Sequence, residues 1–75
     1  MKFIEMSGAT LRQVLKAEEL REEDLSNSGV NDQSIVRVNE QGDIEVRRES
    51  TWDAIGGLIG DFENRIKSAT GLTWA

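Results

Sequence analysis

The spacing of apolar positions changes along the chain, and each change marks an element. Ile4 and Met6 flank Glu5 in the alternating pattern of a half-buried strand over Lys2 to Met6, and Ser7-Gly8 reads as the turn that ends it. Thr10 with Gln13 three residues on has the form of a capping box, which predicts a helix from Leu11. Leu11, Val14 and Leu15 then share one face, and the stripe lapses at Glu18, so the helix is expected to bend or end near Glu19. Glu22 to Asn27 reads as a second short helical piece stopped by Gly29, with Val30 packing back on Leu25 as in a Schellman ending.

Ile35 to Arg47 carries the sharpest local signal, a hairpin. Asn39-Glu40-Gln41-Gly42 has the residues of a type I turn, with Gly42 free to take the left-handed position of a bulge. That turn sets Asn39 opposite Asp43, Val38 opposite Ile44 and Val36 opposite Val46. On the other face Arg37 meets Glu45, a pair worth about 0.2–1 kcal/mol. A slip of one residue loses both agreements.

Beyond the hairpin, Trp52, Ile55, Ile59, Phe62, Ile66 and Ala69 alternate spacings of three and four. This arithmetic predicts one helix from about Thr51 to Thr70, ended by Gly71. The resulting order is β-α-(short α)-β-β-α in a single domain, residues 1–75. It describes a small two-layer α+β fold with a three-stranded mixed sheet and the helices on one face. The first strand is expected parallel to the second, through a right-handed crossover. Ile4, Met6, Val36, Val38, Ile44 and Val46 face the helices; Glu5, Arg37, Glu45 and Arg47 face outward.

Composition narrows the chemistry. There is no His and no Cys, so no imidazole base, thiol nucleophile, disulfide or customary zinc site exists. Adjacent carboxylates could in principle share acid–base work, yet no spacing singles out a pair among fourteen acidic residues. An enzyme is not expected, nor is a cofactor. The formal net charge of −5 disfavours non-specific attraction to nucleic acid or anionic lipid. The apolar stretch Ala54 to Gly60 is too short to cross a bilayer, and Glu5 interrupts Met1-Lys2-Phe3-Ile4 too early for a signal peptide. The expected setting is cytoplasmic, without membrane attachment.

Two loops invite ligand readings. Asp24 to Asp32 has oxygen side chains at the first, third and fifth positions of a calcium loop and Gly29 at the sixth, but Ile35 stands where a bidentate Glu is required. The same residues serve equally as a capped helix end and a polar turn. Gly56-Gly57-Leu58-Ile59-Gly60 lacks the Lys-Ser/Thr of a phosphate loop; its glycines instead suggest close contact, since each costs about 1 kcal/mol in a helix. The acidic run Glu18-Glu19, Glu22-Glu23-Asp24 reads as a solvated face.

Ser34 to Val46, a strand, glycine turn and strand, resembles the looped-hinge hairpin of AbrB/MazE-type DNA-binding antitoxins and regulators. That resemblance implies an intertwined dimer gripping DNA with the Arg37/Arg47 face. The chain departs from the pattern at Asp43, where a basic residue commonly follows the glycine, and at Arg47, where an Ile-Pro step is typical. It supplies the alternative function. The leading one is a non-enzymatic protein-interaction module that associates with a protein partner, a second copy of itself foremost. Its expected contact residues are Gly56, Gly60 and Trp74, together with Arg37 and Arg47 on the hairpin. Trp74 enters because an aromatic so near the chain end must fold back on the core or meet a partner.

Overall fold

A computed structural model describes residues 2–74. The elements are β1 (Phe3–Ser7), α1 (Gly8–Val14), α2 (Glu22–Asn27), β2 (Ile35–Asn39), β3 (Asp43–Arg47), β4 (Trp52–Gly57) and α3 (Phe62–Thr70). They form a two-layer α+β domain whose single sheet has four strands in the order β1-β2-β3-β4, every neighbouring pair antiparallel.

The hairpin forms in the expected register, Val36 with Val46, Arg37 with Glu45 and Val38 with Ile44. Gly42 takes φ +89°. Asn39 organises the turn: its Oδ1 accepts from the backbone N–H groups of Gln41 (2.9 Å) and Asp43 (3.0 Å), and its Nδ2 donates to Asp43 (3.0 Å). α2 also forms where its residues place it. Its end is closed by Val30 N–H donating to Leu25 C=O at 2.9 Å, with Gly29 at φ +73°.

The sheet is not mixed and not three-stranded. β1 runs antiparallel to β2, pairing Phe3 with Asn39 and Ser7 with Ile35. The physical reason lies in how the helical excursion begins and ends. α1 starts directly after β1, capped by the Ser7 hydroxyl accepting from Thr10 N–H at 3.1 Å, rather than at Leu11 with Thr10 as cap. Gly8 N–H then donates to Ser34 C=O (2.8 Å) and Ala9 N–H to Asp32 C=O (3.2 Å). Both ends of the excursion are thus tied at one end of the sheet, and β2 must run back along β1. Only glycine permits the closure, because a Cβ on Gly8 would lie 1.9 Å from the Asn31 carbonyl oxygen.

The long helix expected over Thr51 to Thr70 is two elements. Trp52–Gly57 is the strand β4, paired with β3 through a bulge at Ile55, and helix begins only at Phe62. Gly56 and Gly57 weaken a helix, and Gly60 at φ +72° breaks the path between strand and helix. The three-and-four spacing therefore joins two elements by coincidence: Phe62, Ile66 and Ala69 lie on a helix, whereas Trp52 and Ile55 lie on a strand. The core comprises Ile4, Met6, Leu11, Val14, Leu25, Val30, Val36, Val38, Ile44, Val46, Leu58, Ile66 and Trp74.

Candidate functional site

Strand parity divides the sheet sharply. One face meets α1, α2 and α3 through the core valines and isoleucines, and among the described residues no element covers the other. On the open face the registers define three rows. Phe3, Asn39, Asp43 and Gly57 form one outer row; Glu5, Arg37, Glu45 and Ala54 form the middle; Ser7, Ile35, Arg47 and Trp52 form the other outer row.

Arg37 holds the centre. Its Nε donates to Glu45 Oε1 at 2.5 Å, and the two side chains are only 22% and 23% exposed. Partial burial strengthens the attraction within the pair, because less water screens it, and at the same time costs both groups some hydration. The guanidinium carbon also lies 3.7 Å from the Phe3 ring centroid and 4.2 Å from that of Trp52. These rings come from opposite corners of the grid and close over the arginine from two sides. Cation–π attraction thus joins all four strands in one polar-aromatic cluster. Arg47 approaches the Trp52 ring at 5.9 Å and, among the described residues, has no carboxylate within ion-pair distance; neither Glu5 nor Arg47 is held by a salt bridge there.

The face keeps apolar surface in water. Phe3 is 36% exposed and Ile35 47% exposed, both on the rows just described. Arg48, by contrast, turns to the helical side, donating to Asp53 at 2.8 Å and to the Ser28 carbonyl at 2.7 Å.

The other expected contact residues lie elsewhere. Trp74 is 7% exposed, packs edge-on to Phe62 with ring centroids 5.9 Å apart, and donates its indole N–H to the Val38 carbonyl. Burial takes it out of any contact surface. Gly56 sits in β4, where an added Cβ would lie 3.1 Å from the Leu20 side chain, so its close contact is within the chain. Gly60 faces open space. The five residues do not form one surface: Arg37 and Arg47 share the open face, and Trp74 is in the core. Sequence reasoning missed Phe3 and Trp52. The signal for Phe3 was its parity with Glu5; Trp52 could be found only by reading Gly56-Gly57 as the end of a strand.

Two further places gather polar side chains. α1 and α3 flank an open groove of about 570 Å³ lined by Gln13, Lys16, Asp61, Asn64, Ser68 and Ala69. Arg65, which also lines it, is already committed: it donates to both Glu19 oxygens (2.9 and 2.7 Å), the Val14 carbonyl and the Ile59 carbonyl. The calcium-like segment disperses its oxygens into local structure, with Asp24 accepting from Arg21 N–H and Asp32 paired with Arg12. Among the described residues no three carboxylates converge on a common point, and no helix is long and apolar enough to cross a membrane. Compared with known proteins, the chain matches no family model, no curated protein and no solved structure.

Proposed function

We propose that this chain is a non-enzymatic interaction module that self-associates through the open face of its sheet. The observation that carries the reading is the uncovered face itself, with Phe3 and Ile35 left in water around the Arg37–Glu45 pair. Apolar side chains grouped on one sheet face gain by meeting another surface. A mixed set of charges on that face favours a partner that also carries both signs, and a second copy supplies one. Nucleic acid is a poorer occupant. Arg37 is neutralised by Glu45 and sandwiched between rings, while Glu5, Asp43 and Glu45 would each face phosphate.

The size of the face sets the strength. Four strands about 4.8 Å apart and three rows about 6.8 Å apart offer about 400 Å² per copy, or about 800 Å² in all, against the ~1,200 Å² at which stable interfaces begin. The expected dimer is therefore weak. Sedimentation from about 10 μM to about 1 mM tests this directly. A concentration-dependent shift from monomer to dimer supports the reading, and a monomer throughout the range retires it.

A further inference from the structure

Arg37 and Glu45 stand on β2 and β3 in the middle row, at the centre of the open face, and meet through a single hydrogen bond from Nε to Oε1. Among the described residues, neither terminal guanidinium nitrogen of Arg37 nor the second oxygen of Glu45 has a hydrogen-bond partner. Each member of the pair therefore has room for a second partner of opposite charge. Resting on the self-association proposed above, we infer that two copies stack face to face about a two-fold axis running along the strands, between β2 and β3. Each Arg37 then stands over the partner's Glu45, and the two half-used pairs close into one ring of four alternating charges. The strands of the two copies stay nearly aligned, one of the two common arrangements of packed sheets. An arginine and a glutamate reaching towards each other span the roughly 10 Å between such sheets.

Charge separates this axis from the others that lay the face onto itself. An axis across the strands stacks Arg37 on the partner's Arg37, Glu45 on the partner's Glu45 and Glu5 on the partner's Glu5. Either diagonal leaves Arg37 as near the partner's Arg37 as the partner's Glu45. Moving the strandwise axis sideways onto β2 or β3 stacks Arg37 or Glu45 on its own copy. Like charges so placed oppose association. Side-chain size points the same way independently. The axis between β2 and β3 exchanges β1 with β4 and keeps each row, so Phe3 falls over the partner's Gly57 and Glu5 over the partner's Ala54. A Cβ on Gly57 would meet only the Gly42 carbonyl oxygen, at 3.8 Å, so the place above it is open. Large residues facing small ones let two surfaces interdigitate.

Positions 5 and 54 test the register, because within one chain they lie three strand spacings apart, about 14 Å, and they meet only across this interface. Ala54→Lys sets an ammonium over the partner's Glu5 twice and should tighten the dimer at least about threefold in sedimentation. Ala54→Glu sets a carboxylate there and should loosen it at least about threefold. Glu5→Gln, added to each, should shrink the difference between the two variants at least about threefold, since the partner's charge is gone. Both positions are exposed, so all the variants should keep the far-ultraviolet circular dichroism of the parent. If the glutamate variant fails to fold, Ala54→Lys with and without Glu5→Gln decides alone. Lysine and glutamate at position 54 that dimerise alike, or a difference that Glu5→Gln leaves unchanged, would overturn the strandwise register while leaving self-association standing. An unaltered protein that is monomeric up to about 1 mM overturns both.

Discussion

The indole N–H of Trp74 donates to the carbonyl oxygen of Val38 across 3.0 Å, joining the chain's last described residue to the second strand of the sheet. The bond fixes a side chain that also packs edge-on against Phe62 of α3. Trp74→Ala should therefore destabilise the fold by about 3–5 kcal/mol, the usual loss for deleting a buried large aromatic. Trp74→Phe keeps most of the apolar contact but leaves the Val38 carbonyl without its donor. It should cost less, about 1–3 kcal/mol. Urea titration of the three proteins checks the order.

Glycine has opposite meanings at Gly8 and Gly60. At Gly8 the backbone of Asn31 occupies the place of a side chain, and the closure of the helical excursion depends on that approach. Gly8→Ala should cost about 3 kcal/mol or more, because backbone must move. Gly60 has a left-handed φ but nothing within 4 Å, so Gly60→Ala should cost only about 1 kcal/mol of conformational strain. Thermal melts of the two alanine variants should separate clearly, with the Gly8 variant much the lower.

How far the sequence could be read depended on the range over which each signal acts. The hairpin was legible because Asn39 to Asp43 hold the turn among themselves and every cross-strand pair agrees with it. Once that register stood, parity alone put Arg37, Glu45 and Arg47 on the open face. β4 was not legible because Trp52 and Ile55 continue the spacing of Phe62 and Ile66 across Gly60, and apolar spacing carries no mark of where one element stops. The direction of β1 depended on Gly8 meeting Asn31, a contact between residues distant in sequence. Glu19 was hidden in an acidic run that looks solvated. Its partner, Arg65, lies on an element whose placement the sequence does not announce.

Ile35 separates association from stability. It is exposed on the open face, whereas its neighbour Val36 is fully buried on the other. Ile35→Lys should leave stability within about 0.5 kcal/mol of the parent, as surface changes usually do. It should nonetheless shift the sedimentation profile towards monomer, because it places a charge in the proposed interface. Val36→Lys, one residue away, should unfold the protein by burying an unpaired ammonium. Unchanged dimerisation in the Ile35 variant would show that the open face is not the contact surface.

Acid should weaken the fold through Glu19. Burial alone pushes this carboxyl up, since the charged form loses water. Hydrogen bonds from Arg65, and from the backbone N–H groups of Ile59 and Lys16, outweigh it and hold the group at about 2, below its ordinary 4.5. The folded state thus binds the proton more weakly than the unfolded chain does. The stabilisation is fully present above about pH 4.5 and is lost as the pH falls from 4.5 towards about 2. Replacing the carboxylate removes this dependence at its source. Glu19→Gln leaves Arg65, whose side chain is 21% exposed, without its counter-charge beside a position that is wholly buried. That should cost about 2–4 kcal/mol at neutral pH. Because the variant has no carboxyl to protonate there, its stability should fall less steeply below pH 4.5 than that of the parent. Urea denaturation of both proteins at pH 7, 5, 4 and 3 measures the two slopes. Parallel slopes would show that Glu19 does not set the acid response, whereas converging curves would locate the acid sensitivity in the Glu19–Arg65 pair that ties the α1–α2 connection to α3.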